Sequence, residues 1–301
     1  MLLFQKSIDS LSSYLSAIKQ LKEHYPTAIF SSPAATSFLY RGVSSVEYHL
    51  IPGILREDSK PKRNKKYTEF GAEQGILNSF IHEASAYLSI PPTNKACWLE
   101  YAQHYGVPTR LLDWSSNPLV ALYFCCKGRP DSDGITWVLH APNYVRFIES
   151  QPYKAALIGK TFHDRIRDLL DNSSRENFPF IYTPYYSDLR MSAQRSYFMV
   201  WGTEETAFDI TFFSDESEEP NDHQMKLDPE ENLGDERVFG EHARTAFLFK
   251  FLVPCNRKPF IIRELDMVGI NEKTLFPGLD GIGRYIEQKF SFNYDELIES
   301  I

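Results

Sequence analysis

The chain lacks what a membrane-spanning or disulfide-stapled protein would need. No apolar run approaches the roughly 18 residues of a spanning helix. The N-terminus MLLFQKSIDSL has neither a basic region ahead of a long apolar stretch nor a small-residue cleavage site, so export by that route is not expected. Cysteine is scarce: Cys97, Cys125, Cys126 and Cys255 are the only four, and they show no CxxC or Cys/His spacing. That pattern excludes a disulfide framework and argues against a zinc site, leaving reduced structural cysteines in a cytoplasmic protein as the expectation. Positive charge is in deficit as well. With 32 Lys and Arg against 40 Asp and Glu, the formal net charge is -8, which argues against a broad non-specific nucleic-acid surface and leaves only a local basic patch open. There is no internal repeat and no low-complexity tract.

What is present is a globular composition, 43% hydrophobic and 14% aromatic over 301 residues, sufficient for one large domain or two small ones with a substantial core. The densest information lies in YAQHYGVPTRLLDWSSNPLVALYFCC, residues 101–126. Gly106 and Pro108 end a helix spanning Trp98 to Tyr105, which leaves His104 and Tyr105 at a helix C-terminus beside a loop. Thr109 to Trp114 has the length and apolar character of a buried strand. Ser115, Ser116 or Asn117 can then cap a helix that has Pro118 in its first turn and is apolar nearly all round, so this helix is expected to be buried. Arg110 and Asp113 interrupt the apolar run. A charge withdrawn from water needs a partner, so the two either pair with each other in the core or hold the loop of His104, Trp114 and Ser115 against a ligand.

Around this stretch, residues 7–24 read as an amphipathic helix with Leu11, Tyr14, Leu15, Ile18 and Leu21 on one face, a lid or clasp across the domain. SFLYRGVSS, residues 37–45, is strand-like; its Arg41 must be paired, exposed at a strand end or used on an anion. Gly42 would admit a ligand or another backbone at close range. A basic run from Lys60 to Lys66 reads as a solvated loop or a phosphate or nucleic-acid contact, and residues 67–87 as one long helix. Strands are expected at GITWVLHAP, at the edge segment 178–186, at Ser196 to Trp201 and at 245–254. KPFIIRELDMVGI reads as a strand or a strand-to-helix segment. Residues 214–241 are acidic and aperiodic, a flexible insertion. The whole is an α+β protein with mixed, mainly antiparallel sheets flanked by helices, in which residues 1–36 form an N-terminal helical elaboration on a domain covering 37–301. His49, His82, His140, His163, His223 and His242 fall in no recognisable constellation.

Three blocks carry a resemblance. Phe38-Leu39-Tyr40-Arg41-Gly42, the run from His104 to Trp114 continuing through Asn117 to Phe124, and Leu275 to Gly281 together resemble the FRG-domain family over about residues 37–290. More distantly, the aromatic-Arg-Gly strand and the Trp114-Ser115-Ser116 start of a helix are similar to the ADP-ribosyltransferase fold. That resemblance implies an ADP-ribosyltransferase-like core with NAD as co-substrate, a protein or nucleic acid as acceptor, no metal and no membrane. By analogy it also implies a toxin or phage-defence effector restrained by an inhibitory partner protein. It implies a catalytic set of Arg41, Ser115, Gln194 and Glu204, and a ligand wall of Tyr40, Gly42, His104, Tyr105, Thr109, Arg110, Asp113, Trp114 and Ser116. A fixed guanidinium can clamp a pyrophosphate in bidentate fashion, and a helix start favours an anion. The sequence departs from that fold at the carboxylate: no Glu-x-Glu precedes a C-terminal strand. Gln194 occupies the place, and Glu204, Glu205, Glu264 and Asp280 are the remaining candidates. Two other readings stay open. One is a non-catalytic module that binds a nucleotide or phosphorylated partner through Arg41, His104, Arg110 and Asp113; the other is a set of residues that only braces the core.

Overall fold

Strands of strictly alternating side chains and helices with one apolar face assemble here around a single sheet. The computed structural model describes residues 5–25, 37–56, 70–184, 188–212 and 246–298. The Lys60 to Lys66 run and the acidic insertion 214–241 lie outside them. In chain order the elements are β1 (Gln5–Ser7), α1 (Leu11–His24), β2 (Phe38–Val43), α2 (Glu73–Ala84), α3 (Lys95–His104), β3 (Leu111–Ser115), α4 (Pro118–Cys126), β4 (Gly134–His140) and α5 (Ala141–Glu149). They continue with α6 (Phe162–Leu170), β5 (Phe180–Tyr182), α7 (Leu189–Ala193), β6 (Ser196–Val200), α8 (Phe208–Phe212), β7 (Leu248–Val253), α9 (Lys258–Met267), α10 (Glu272–Leu275) and α11 (Leu279–Ile298). Among the described residues no helix is long and apolar enough to cross a membrane.

The sheet has the order β1-β7-β4-β2-β3-β6-β5. Every pairing is antiparallel except that of β1 with β7. Its two halves meet at a weak seam. β2 pairs with β4 along its whole length, from Phe38 opposite His140 to Val43 opposite Ile135, whereas β2 and β3 share only the Tyr40–Ser115 pair. β3 in turn is fully paired with β6, from Leu111 opposite Val200 to Ser115 opposite Ser196. Past Tyr40 the two central strands therefore diverge, leaving a gap between them.

Three apolar clusters cover the faces. Phe38 and Tyr40 of β2, with Phe249, Phe251 and Val253 of β7, pack under α1, α4 and α9. Leu39 and Val43 face the opposite way, onto an aromatic group that includes Tyr144, Trp201, Phe208 and Phe247. Beyond the seam, Leu111, Phe198 and Val200 pack on α3 and α6. Helix α1 begins at a capping box between Ser10 and Ser13 and buries Tyr14, Ala17, Ile18 and Leu21, while Leu15, expected on the same face, stays exposed. The 1–36 segment thus contributes an edge strand as well as a helix to the common sheet and core. Asn117 caps α4, accepting from the Leu119 amide, with Pro118 in the first turn. Ser115 and Ser116 do not cap it. The segment from Lys258 to Met267 is wholly helical, not strand; its buried residues Lys258, Ile261 and Leu265 recur at intervals of three and four, whereas a strand would turn Lys258 and Ile261 to opposite faces.

Candidate functional site

The parting of β2 and β3 opens a cleft of about 1450 Å³. One wall is β2 and the loop after it, contributing Tyr40, Arg41, Tyr48, His49 and Arg56; the other is Asp113 and Trp114 of β3 with Glu100, Gln103 and His104 of α3. Gln194 after α7 and Glu205 close one end. Among the described residues no group of three His, Cys, Asp or Glu side chains could hold a metal ion, and all four cysteines are free.

Arg41 sits on the central strand with its side chain across the seam. Its Nη1 donates to the Asp113 carbonyl oxygen, while its Nε is buried without a partner. Desolvation lowers the guanidinium to about 10, opposed by the nearby Asp113 carboxylate and reinforced by the like charge of Arg56, so Arg41 is still a cation at neutral pH. Two other buried donors at the cleft are equally unspent: the Trp114 indole Nε1 and the Tyr40 hydroxyl, the latter with its pKa pushed up by burial. A buried donor without an acceptor costs roughly 1–3 kcal/mol, so the Arg41 Nε at the seam is available to a ligand acceptor.

Asp113 is held rather than free. Gln103 Nε2 donates to its Oδ2 at 2.8 Å, and the Thr109 hydroxyl donates to Gln103 Oε1 at 2.7 Å. Its expected pairing with Arg110 does not occur. Arg110 instead lies on the far side of the strand, where Glu73 takes both its backbone amide and its Nε, each at 2.6 Å, and Phe70 stacks 4.3 Å from the guanidinium. Both side chains are 2% exposed. Arg110 stands just before β3, and the Glu73 pair and the Phe70 ring hold its side chain away from the opening. Arg110 has no place in the cleft.

Four other candidates are likewise spent or elsewhere. Thr109 is buried and occupied by Gln103 and the Leu111 amide, Ser116 donates its amide to the Arg195 carbonyl, and Tyr105 is 66% exposed beside Tyr101; none of these lines the cleft. Glu204 accepts from the Thr206 hydroxyl at 2.7 Å, and it is its neighbour Glu205 that faces the opening. Gly42 does serve a close approach, but to backbone: a Cβ there would collide with the Ala121 carbonyl and the Cys125 amide of α4. Ser115 and Gln194 do line the cleft, yet their polar atoms work structurally. The Ser115 hydroxyl donates to the Gln194 carbonyl at 2.6 Å and accepts from the Asn117 amide at 3.0 Å, and Gln194 Nε2 donates to the Leu275 carbonyl at 3.0 Å. His104 lines the cleft with its Nε2 3.6 Å from Asp188 Oδ2.

Three cleft residues escaped the sequence reading. Arg56 arrives on the loop after β2, anchored by its Nε to the Ile51 carbonyl at 3.1 Å. Glu100 is 4% exposed and accepts from the Tyr182 hydroxyl; burial raises its carboxyl to about 7 against that hydrogen bond. A helical wheel could have flagged it, since Glu100 falls on the buried face with Ala96 and Leu99. His49 is bound to Asp209, 160 positions away, a pairing that no local pattern announces.

Residues 36–134 match the family model of the FRG domain, and that part of the chain carries one. The match takes in the Phe38–Gly42 and His104–Phe124 blocks and stops short of the Leu275–Gly281 block. No curated protein and no solved structure matches the chain.

Proposed function

We propose that this FRG-domain chain is an ADP-ribosyltransferase-like enzyme that takes NAD as co-substrate in the cleft between β2 and β3 and uses a protein or nucleic acid as acceptor. The observation that carries the reading is Arg41: a guanidinium fixed on the central strand, with Nε buried and unspent, beside the second cation of Arg56. Like charges set side by side repel, and an oxyanion between them turns that cost into a clamp. A pyrophosphate has the required charge and acceptor oxygens.

Cleavage of the bond between ribose and nicotinamide builds positive charge on the sugar, which a carboxylate must face. Gln194 cannot supply it. Asp113, pinned by Gln103, and Glu205 line the same cleft and carry that charge in this proposal. Glu100, with its carboxyl near 7, is suited to exchanging a proton rather than to standing as a fixed anion. A role as a toxin or phage-defence effector rests on analogy with the fold alone.

A second reading is favoured by the structural employment of Ser115 and Gln194: a module that binds a nucleotide or a phosphorylated partner without turnover. One experiment separates the two. Thermal melts with and without NAD, followed by chromatography for nicotinamide, are expected to show a raised Tm and released nicotinamide for the wild type, with both lost in Arg41→Met. A raised Tm without nicotinamide selects the binding module. An unchanged response in Arg41→Met would sink both readings.

A further inference from the structure

We infer that His49, oriented by Asp209, is the general base that takes the proton from a hydroxyl acceptor, an inference that rests on the transferase reading of the same cleft. The loop after β2 carries His49 to the cleft wall with its side chain half exposed, while Asp209 on α8 is buried. His49 Nδ1 lies 2.8 Å from Asp209 Oδ2, and the other carboxylate oxygen, Oδ1, accepts the Leu50 amide at 2.7 Å. The Phe208 amide in turn donates to the Leu50 carbonyl at 2.9 Å. Loop and helix are thus tied at both sides of the carboxylate, so Asp209 cannot swing away from the ring.

A carboxylate on Nδ1 holds the proton there and leaves the lone pair on Nε2, which makes no hydrogen bond among the described residues. This is the arrangement of a base with its orienter: a ring nitrogen ready to accept, at a cavity wall, braced from behind by a buried anion. The transfer step balances as follows. The acceptor oxygen forms its bond to ribose C1′, the bond from C1′ to the nicotinamide nitrogen breaks with its electron pair going to the nicotinamide ring, and the acceptor proton passes to His49 Nε2. The imidazolium so formed is stabilised by Asp209, a positioning residue. A base of this kind is needed by a neutral hydroxyl and by water, whereas a carboxylate acceptor has no proton to give up.

The test uses NAD with water as the acceptor. His49→Ala, truncating a half-exposed side chain, is expected to keep the NAD-induced Tm shift, to release nicotinamide about 10²-fold more slowly, and to recover part of that rate with added imidazole. Release at the wild-type rate overturns the assignment, and so does a slow variant that imidazole leaves unchanged. Independently of activity, ¹⁵N NMR of the wild type should show His49 protonated on Nδ1, and Asp209→Asn should disturb that preference; an Nε2-protonated ring in the wild type refutes the base role. Wild-type protein that releases no nicotinamide at all would bring down the transferase reading and this assignment with it, whereas failure confined to His49→Ala leaves that reading standing.

Discussion

Two arginines flank the same short strand and have opposite fates. Arg110 is sealed with Glu73, its amide and Nε both satisfied, and Phe70 covers the guanidinium. Arg41 reaches across the seam to a backbone carbonyl, keeps its Nε unspent and has a second cation as neighbour. The first arrangement is complete in itself. The second is complete only with something added. Net satisfaction of donors, rather than the presence of a charge in an apolar run, is what separates a brace from a binding group, because a buried pair that closes on itself presents nothing to a ligand.

Substitutions can break or sharpen that contrast. The largest effect on stability is expected from Glu73→Ala, which strands Arg110 in the core; denaturant unfolding should show a loss of about 3–5 kcal/mol. Recovery of stability in the double variant with Arg110→Met would show that the stranded charge is the cause. A smaller loss than about 1 kcal/mol in Glu73→Ala would place Arg110 among the free cations after all.

Glu100 offers the same contrast among carboxylates, since it is buried with the neutral Tyr182 hydroxyl as its donor rather than a cation. Its folded-state carboxyl, raised from 4.5 to about 7, favours the neutral form. The stability it contributes is therefore fully present below about pH 4.5 and is lost as pH rises through about 7, a decline of the order of 3 kcal/mol. In Glu100→Gln that part of the pH dependence should vanish, which melts at pH 4.5 and pH 8 would reveal; an unaltered slope would show that Glu100 does not titrate in this range.

Ser115→Ala removes the two hydrogen bonds that tie the end of β3 to the Gln194 carbonyl and the Asn117 amide, and should cost about 1–2 kcal/mol while leaving the NAD response in place. A lost response at intact stability would restore Ser115 to the reacting centre. The smallest change in stability belongs to Arg41→Met, within about 1 kcal/mol because the lost Nη1 bond to the Asp113 carbonyl is offset by relief of a buried charge's desolvation, and here the effect appears in binding: the NAD concentration needed for a given Tm shift should rise about 10²-fold, the scale of a lost charged contact.

Much of the architecture was legible in local pattern. The caps at Ser10 and Asn117, the turn chemistry at Gly106 and Pro108 and the short apolar runs of β4 and β6 each state a local preference that packing then honours. The strand bearing Arg41, the helix after Asn117 and the placement of Trp114 beside the site follow from residues close in sequence. The partners did not. Proximity in sequence suggests Asp113 for Arg110, but its partner Glu73 stands 37 positions away; the His49–Asp209 pair spans 160.

By itself, then, the sequence determined which segments form strands and helices, because periodicity and capping act over a few residues, and it marked Arg41 as a charge in need of an explanation. Only the tertiary structure decided which charges close on one another and which stay open. That depends on where β2 and β3 part company, and a strand pairing that stops after a single residue pair is fixed by packing on both faces of the sheet rather than by the composition of either strand.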